Sequence, residues 1–512
     1  MSTDAPALRP REFGRWIWRQ LTSMRTALFL LLLLALAAVP GSLIPQRGVD
    51  PQKVEVYFLN HTSSAPIMEK FGLFSIYTSP WFSSIYLLLL VSLVGCIIPR
   101  VGVYYRALRA RPPKAPRNFA RLAASATFET SAPVEEVLAV GRKTIGRARI
   151  DQVDNEVRAE RGYLREAGNL IFHICLVIVL VGVATGALYG YRGSAIVAED
   201  AGFSNTLTQY DDFSSGALYD TDNLAPFSLT LDKFRARFQV DGPQRGAPRS
   251  FKATGTYVPK PGEAQLPFSI TVNHPLDING TSVFLVGQGY APVIKVTDAQ
   301  GNVAFEGAVP FLPSDATYTS TGVVKVPDAK PSQLGFQGFF LPTAVSEGKK
   351  APVSIYPGAV NPLLGLFAYS GDLGLDKGTP QSVFILNKDK LKQFTNKDGT
   401  PLRLSLSPGQ MVDLPDGGNL QFVGLKTFVK FQFSSSPLLK IPLYGISLGV
   451  LGLMMSLTIK PRRTWIRASR EGSSTVVEIA VLDRVSRGDL PVNLDDFVER
   501  FKSALAEKKD DA

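Results

Sequence analysis

A chain of 512 residues exceeds one ordinary core, and its net charge of +11, from 55 Lys and Arg against 44 Asp and Glu, points at first to nucleic acid. Only 19% of residues are charged and the mean hydropathy is +0.09, which marks instead a chain partly dissolved in lipid. Cys96 and Cys175 lie in apolar runs without a C-x-x-C partner, which excludes a disulfide-stapled scaffold, a thioredoxin-like pair and a zinc knuckle, and the three histidines (His61, His173, His274) add little for metal chemistry.

Crossing about 30 Å of hydrocarbon takes about 20 helical residues. Four apolar stretches approach that length: 26–44, 81–98, 169–188 and 441–459. The first also admits a signal-peptide reading, with Ala35-Leu36-Ala37 as a small-residue cleavage site, but its basic leader and its apolar run are both long for one. Residues 1–25, 99–168 and 460–512 together hold 30 of the basic and 20 of the acidic residues, so nearly all the excess charge sits on three segments that an even number of crossings places on one side. The positive-inside rule makes those segments, and both termini, cytoplasmic, and puts 45–80 and 189–440 outside the cell membrane. The charge is then a topology signal, and nucleic acid drops out as a partner.

The segment 99–168 predicts a small cytoplasmic α/β insert, reached through a basic, Pro-rich linker at 109–121. Ser131 is placed to cap a helix over 133–144, with Val134, Val137, Leu138 and Ile145 at helical spacing and Glu135 and Glu136 in its first turn. The long external stretch reads as β structure, a sandwich or open barrel, because short apolar–polar alternations are punctuated by Gly, Pro and Asp. Phe227, Leu229 and Leu231 share one face of an extended run, as do Phe268, Ile270 and Val272. Residues 294–296 lead through 298–302 into 303–305 as a hairpin, and 385–395 fits a short helix. The tail alternates over 475–481 and closes in an amphipathic helix at 494–506.

His173 carries the most information, because an ionisable group inside a membrane is costly and usually has a partner. Its neutral imidazole can ligate a metal or haem iron, or it can hydrogen-bond a neighbouring helix. Cys96 and Cys175 lie at similar depth, which makes a three-ligand site conceivable, but Cys175 is about 200° around the helix from His173 and cannot share one metal with it. Buried thiols usually act as small apolar groups. Gly182 and Gly186 form a G-x-x-x-G that permits close helix approach. His61 follows Asn60 in a polar loop, and His274 before Pro275 reads as a hydrogen-bonding turn residue.

Three passages match a known family: Gly41-Ser42-Leu43-Ile44-Pro45-Gln46; Arg161-Gly162-Tyr163-Leu164-Arg165 leading to Gly168 and His173; and Val272-Asn273-His274-Pro275-Leu276 followed by Asn279-Gly280 and residues 284–290. With the four-span plan, they resemble the ResB (CcsB) family of system II cytochrome c maturation proteins over nearly the whole chain. The resemblance implies a subunit that assists haem delivery across the membrane and its covalent attachment to apocytochrome c. It would be an accessory part of a haem lyase complex rather than a complete enzyme, with no catalytic residue identified. It also implies haem b as cargo or transient ligand, a haem-handling ResC (CcsA) type membrane partner, a thiol-disulfide reductase of the same pathway, and His173 as an axial ligand, with His274 a lesser candidate for a haem or substrate contact. The tryptophan-rich haem motif of that partner is missing here, and Trp16, Trp18, Trp81 and Trp465 read as interfacial anchors. Two other readings are an anchored apocytochrome scaffold that never touches haem, and a solute transporter, which four spans with one ionisable side chain serve poorly. Arg165 is open to a haem propionate or to lipid phosphate.

Overall fold

The computed structural model describes residues 9–122, 124–346, 348, 351–375, 382–483 and 490–510. They divide into two compact units, one formed by the described residues up to 184 and from 438 onward, the other by those between 185 and 437.

The first unit opens with helix α1 (Pro10–Leu21) and helix α2 (Met24–Leu43). Ser23 separates them: it is extended (φ −88°, ψ 144°), and its Oγ accepts from Thr26 N at 3.2 Å, a side-chain cap that starts α2. Residues 45–80, expected only as a loop, fold into α3 (Pro51–Asn60), α4 (Ala65–Lys70) and a 3₁₀ turn (Ile76–Thr78) around buried Val54, Ala65 and Phe74. Helix α5 (Pro80–Arg109) continues through Pro99 and beyond the end expected at 98. With α7 (Leu164–Tyr189) and α8 (Lys440–Thr458), α2 and α5 make four helices long and apolar enough to cross a membrane, which marks a membrane protein.

The expected insert and tail are not separate pieces. Strands Ala124–Thr130, Ser474–Asp483, Arg462–Glu471, Glu156–Arg161 and Arg149–Val153 lie in that order in one antiparallel sheet. Helices α6 (Val134–Ile145) and α9 (Leu490–Asp510) cover one face, packing Val137, Leu138 and Phe501 on Val157, Ile466 and Ile479. The cap position of α6 is Pro133 rather than Ser131, with no side-chain cap bond. The Pro-rich linker straps the other face, where Trp465 donates from Nε1 to Pro113 O at 3.0 Å and Arg467 from Nη2 to Pro116 O at 3.0 Å. Trp465 is therefore a core residue, 3% exposed, and not an interfacial anchor. Beneath the strap, Glu156 accepts from Arg467 and Arg158, each at 2.9 Å.

The second unit is β-rich. Strands Thr281–Thr297 and Asn419–Ser435, each 17 residues long, pair along their length and serve two cores. One core sets Val283, Phe431 and Phe433 against Leu229, Leu231 and Ile270; the other sets Ile294, Leu420 and Phe422 against Phe336, Leu364 and Leu366. The expected hairpin forms, with Val296 opposite Phe305, and Asp298 Oδ1 closes the turn by accepting from Gln300 N and Asn302 N at 2.9 Å. Phe227, Leu229 and Leu231 are buried as expected, but Val272 is 49% exposed because its strand ends at Thr271 and Asn273 turns the chain with φ 65°. The helix expected over 385–395 is absent from the described residues. Asn387 Oδ1 instead takes Asp389 N at 2.9 Å, a local turn that competes with helix, and Leu391–Gln393 joins a sheet edge.

Burial alone would raise the Glu156 carboxyl, but the Arg158 and Arg467 guanidiniums outweigh it and hold it below the ordinary range. A depressed acid contributes stability that is complete above its unfolded value of about 4.3 and is lost as pH falls through the folded value. E156Q is expected to lower stability by about 1 to 2 kcal/mol at neutral pH, a figure discounted for partial solvent access. The difference from wild type should vanish in acid, as read by denaturant unfolding followed through Trp465 fluorescence.

Candidate functional site

The site is built where the small α/β sheet hands the chain to α7. Gly162 makes the turn with φ 73°, close against the Lys460 carbonyl, where a Cβ would not fit. Tyr163 follows, its ring under the Arg149 guanidinium at 4.2 Å and its carbonyl accepting from Tyr104 Oη of α5. Arg165 donates from Nε to Ser456 O at 3.2 Å, placing a cation on the last turn of α8, where the helix dipole favours one. The passage from Arg161 to Arg165 is thus the joint that holds the starts and ends of three helices.

Above the joint, α7 and α8 approach along glycine. A Cβ added to Gly168 would lie 2.5 Å from Gly452 O, and one on Gly452 would lie 2.7 Å from Gly168 O. The seam continues with Gly449 against Cys175, Gly445 against Val179 and Gly182 against Pro442. Gly168, Cys175 and Gly182 recur every seven residues, so they form one stripe on α7. Gly186, the second glycine of the G-x-x-x-G, lies against Ser436 Oγ. The glycines of α8 were missed in the sequence, although Gly445, Gly449 and Gly452 carry the same small-residue spacing.

His173 leaves α7 on the side away from this seam, about 160° from Cys175 by the shorter way around the helix. It sits nine residues, about 13 Å, into the helix, half-buried, with Phe172 edge-on at 5.4 Å. Its Nδ1 lies 2.7 Å from Asn169 O. A carbonyl can only accept, so the proton belongs on Nδ1 and the lone pair on Nε2 at the far end of the ring. Metal-bound histidines take this arrangement, in which the backbone bond fixes both tautomer and ring orientation.

The other candidates lie elsewhere. Cys175 is buried in the seam, and Cys96 donates from Sγ to Thr22 O at 2.9 Å, so neither thiol joins His173. Among the described residues no group of three His, Cys, Asp or Glu side chains is placed to hold a metal. His61 is exposed at the end of α3, stacked on Tyr57 at 4.1 Å. His274 is exposed in the turn after Thr271, its Nδ1 3.3 Å from Val272 O. At His173 the donor set is a single imidazole, which would suit one bond to a haem iron.

The family follows from comparison with known proteins, since residues 24–495 match the model of the ResB-like family. The chain belongs to that family. It is 28% identical over 279 residues to the cytochrome c biogenesis protein CcsB of Synechococcus sp., covering 53% of this chain and 60% of the relative. To the CcsB of Microcystis aeruginosa it is 25% identical over 296 residues, covering 56% and 62%. To the cytochrome c biogenesis protein Ccs1 of Phaeodactylum tricornutum it is 27% identical over 196 residues, covering 36% and 45%. The match thus spans at most about three-fifths of these relatives.

Two of the passages that carried the sequence resemblance are structural devices. Gln46, 8% exposed, donates from Nε2 to Ile44 O at 2.9 Å and Leu73 O at 3.0 Å, while its Oε1 accepts from Ile76 N at 3.0 Å. One amide thereby staples the exit of α2 to the entry of α5, just as Gly162 sets the entry of α7.

Replacing Gly452 by Leu is expected to force α7 and α8 apart and cost about 2 to 3 kcal/mol. V450L, at a position 51% exposed on the same helix, should stay within about 0.5 kcal/mol of wild type. Thermal unfolding of the two variants in detergent makes the comparison.

Proposed function

We propose that this ResB-like protein acts in cytochrome c biogenesis as an accessory membrane subunit that supplies one axial ligand to haem on its way to apocytochrome c. The orientation of His173 carries the reading. Its Nδ1 lies 2.7 Å from Asn169 O, which holds the proton there and leaves the Nε2 lone pair outside that bond, and position 173 lies on the side of α7 away from the seam, an arrangement that suits a ligand. A haem-handling membrane partner of the ResC (CcsA) type would supply the remaining hold on the haem. Haem supplies the vinyl groups that receive the thiols of the apocytochrome. The residues of this chain hold and orient His173: Asn169 sets its tautomer, the glycine seam turns its face outward, and Arg165 locks the base of α7 to α8.

The proposed orientation puts the small α/β domain and both termini in the cytoplasm and the β-rich unit outside the cell membrane. Two observations support it. The basic excess lies on 1–25, 99–168 and 460–512. The pairing of strand Ala124–Thr130 with Ser474–Asp483 is possible only if the segments before α7 and after α8 share one side. On the far side, the β-rich unit serves to present apocytochrome or to brace the partner, and the thiol-disulfide reductase keeps the target thiols free.

The test is an absorption spectrum of the full-length protein co-purified with its membrane partner. H173A is expected to lose or shift the haem band and to reduce cytochrome c maturation at least tenfold, with partial recovery on adding imidazole. A full haem band and normal maturation in H173A would instead establish a scaffold that presents apocytochrome and never touches haem.

A further inference from the structure

Helix α1 has features that the haem reading leaves unused. None of its twelve residues is buried, although Phe13, Trp16, Ile17 and Trp18 are between 41% and 51% exposed, an unusual apolar load for a helix left open to water. Apart from Trp18, which stands beside the arginines, the apolar and basic residues lie on different sides. Arg11, Arg15 and Arg19 recur every fourth position on one stripe, and Phe13, Ile17 and Leu21 do the same on the opposite side. Gly14, with open space where a Cβ would stand, leaves a shallow hollow lined by Arg11, Arg15, Trp18 and Arg19. The one acid of the helix, Glu12, is occupied at its start, where Oε2 accepts from Arg9 N at 3.1 Å. The far end is tied to the spans: Thr22 rests on Gly95 of α5, Cys96 donates to Thr22 O, and α2 begins two residues later.

We propose that α1 is an interfacial helix that binds anionic phospholipid headgroups through Arg11, Arg15 and Arg19. Its Phe13, Ile17 and Leu21 flank sinks to the acyl boundary beside the start of α2. Three observations commit the surface to lipid. The bend at Ser23 keeps α1 from continuing the span, and two residues are too few to carry it away from the membrane surface. The charge on the stripe is uniformly positive and matches phosphate. The apolar flank lies opposite the arginines, the pattern that seats a helix in the plane of a bilayer.

The probe is phosphatidylglycerol acting on the full-length protein. In vesicles with brominated acyl chains, the fluorescence of Trp16 and Trp18, isolated by subtracting a W16F/W18F variant, should be quenched more when phosphatidylglycerol is added to phosphatidylcholine. In detergent, a soluble short-chain phosphatidylglycerol should titrate the same signal. R11Q/R15Q/R19Q should raise the midpoint about a hundredfold, at about fivefold for each arginine. R11K/R15K/R19K should keep the wild-type midpoint within about threefold, because a point charge near the surface suffices, and this variant guards against loss of folding. Quenching independent of phosphatidylglycerol, an unmoved midpoint in the glutamine variant, loss of binding in the lysine variant, or equal competition by inorganic phosphate would each overturn the proposal.

Discussion

The close approach of α7 and α8 is the constraint on which the rest depends. In lipid no hydrophobic force drives helices together, so association rests on packing and on carbonyls brought into reach. Gly168 and Gly452 bring two backbones to a separation that no side chain would permit, and the adjoining Gly449, Gly445 and Gly182 extend that contact. Once this face of α7 is committed, helical geometry leaves His173 nowhere to go but the opposite side. A buried seam and an outward imidazole are two consequences of one spacing.

The parts legible in the sequence were those written in local pattern. Four runs of sufficient length announced the spans, and an imidazole in the third announced itself because lipid makes such a residue expensive. The hairpin around Asp298 was equally plain, since Asp, Gly and Asn at fixed offsets encode the turn. Sheet partnership was not local. Strand Arg462–Glu471 pairs with Glu156–Arg161 about three hundred positions away, and neither carries a mark that names the other. Trp465 was misread for the same reason, because its burial depends on the linker carbonyl of Pro113.

The misread segment at 385–395 shows a different limit. Its apolar residues suit a helix, but Asn387 has a cheaper local bond in a turn, and Leu386 finds a pocket beside Val323 and Tyr369. For the candidate site, the residue was visible and its tautomer was not. The lone pair on Nε2 could be assigned only once the distance to Asn169 O was known, because sequence names a histidine without saying which nitrogen holds the proton.

The five-stranded α/β sheet has a temporal meaning. Two of its three inner strands, Ser474–Asp483 and Arg462–Glu471, are made only after the β-rich unit and α8 have been synthesised. Until they leave the ribosome, Ala124–Thr130 and the Arg149–Val153 hairpin have no neighbour to pair with, and a nascent chain must keep those edges from misassociating. Completion of this sheet therefore waits until α8 has been made, so the fold of this unit closes late in synthesis.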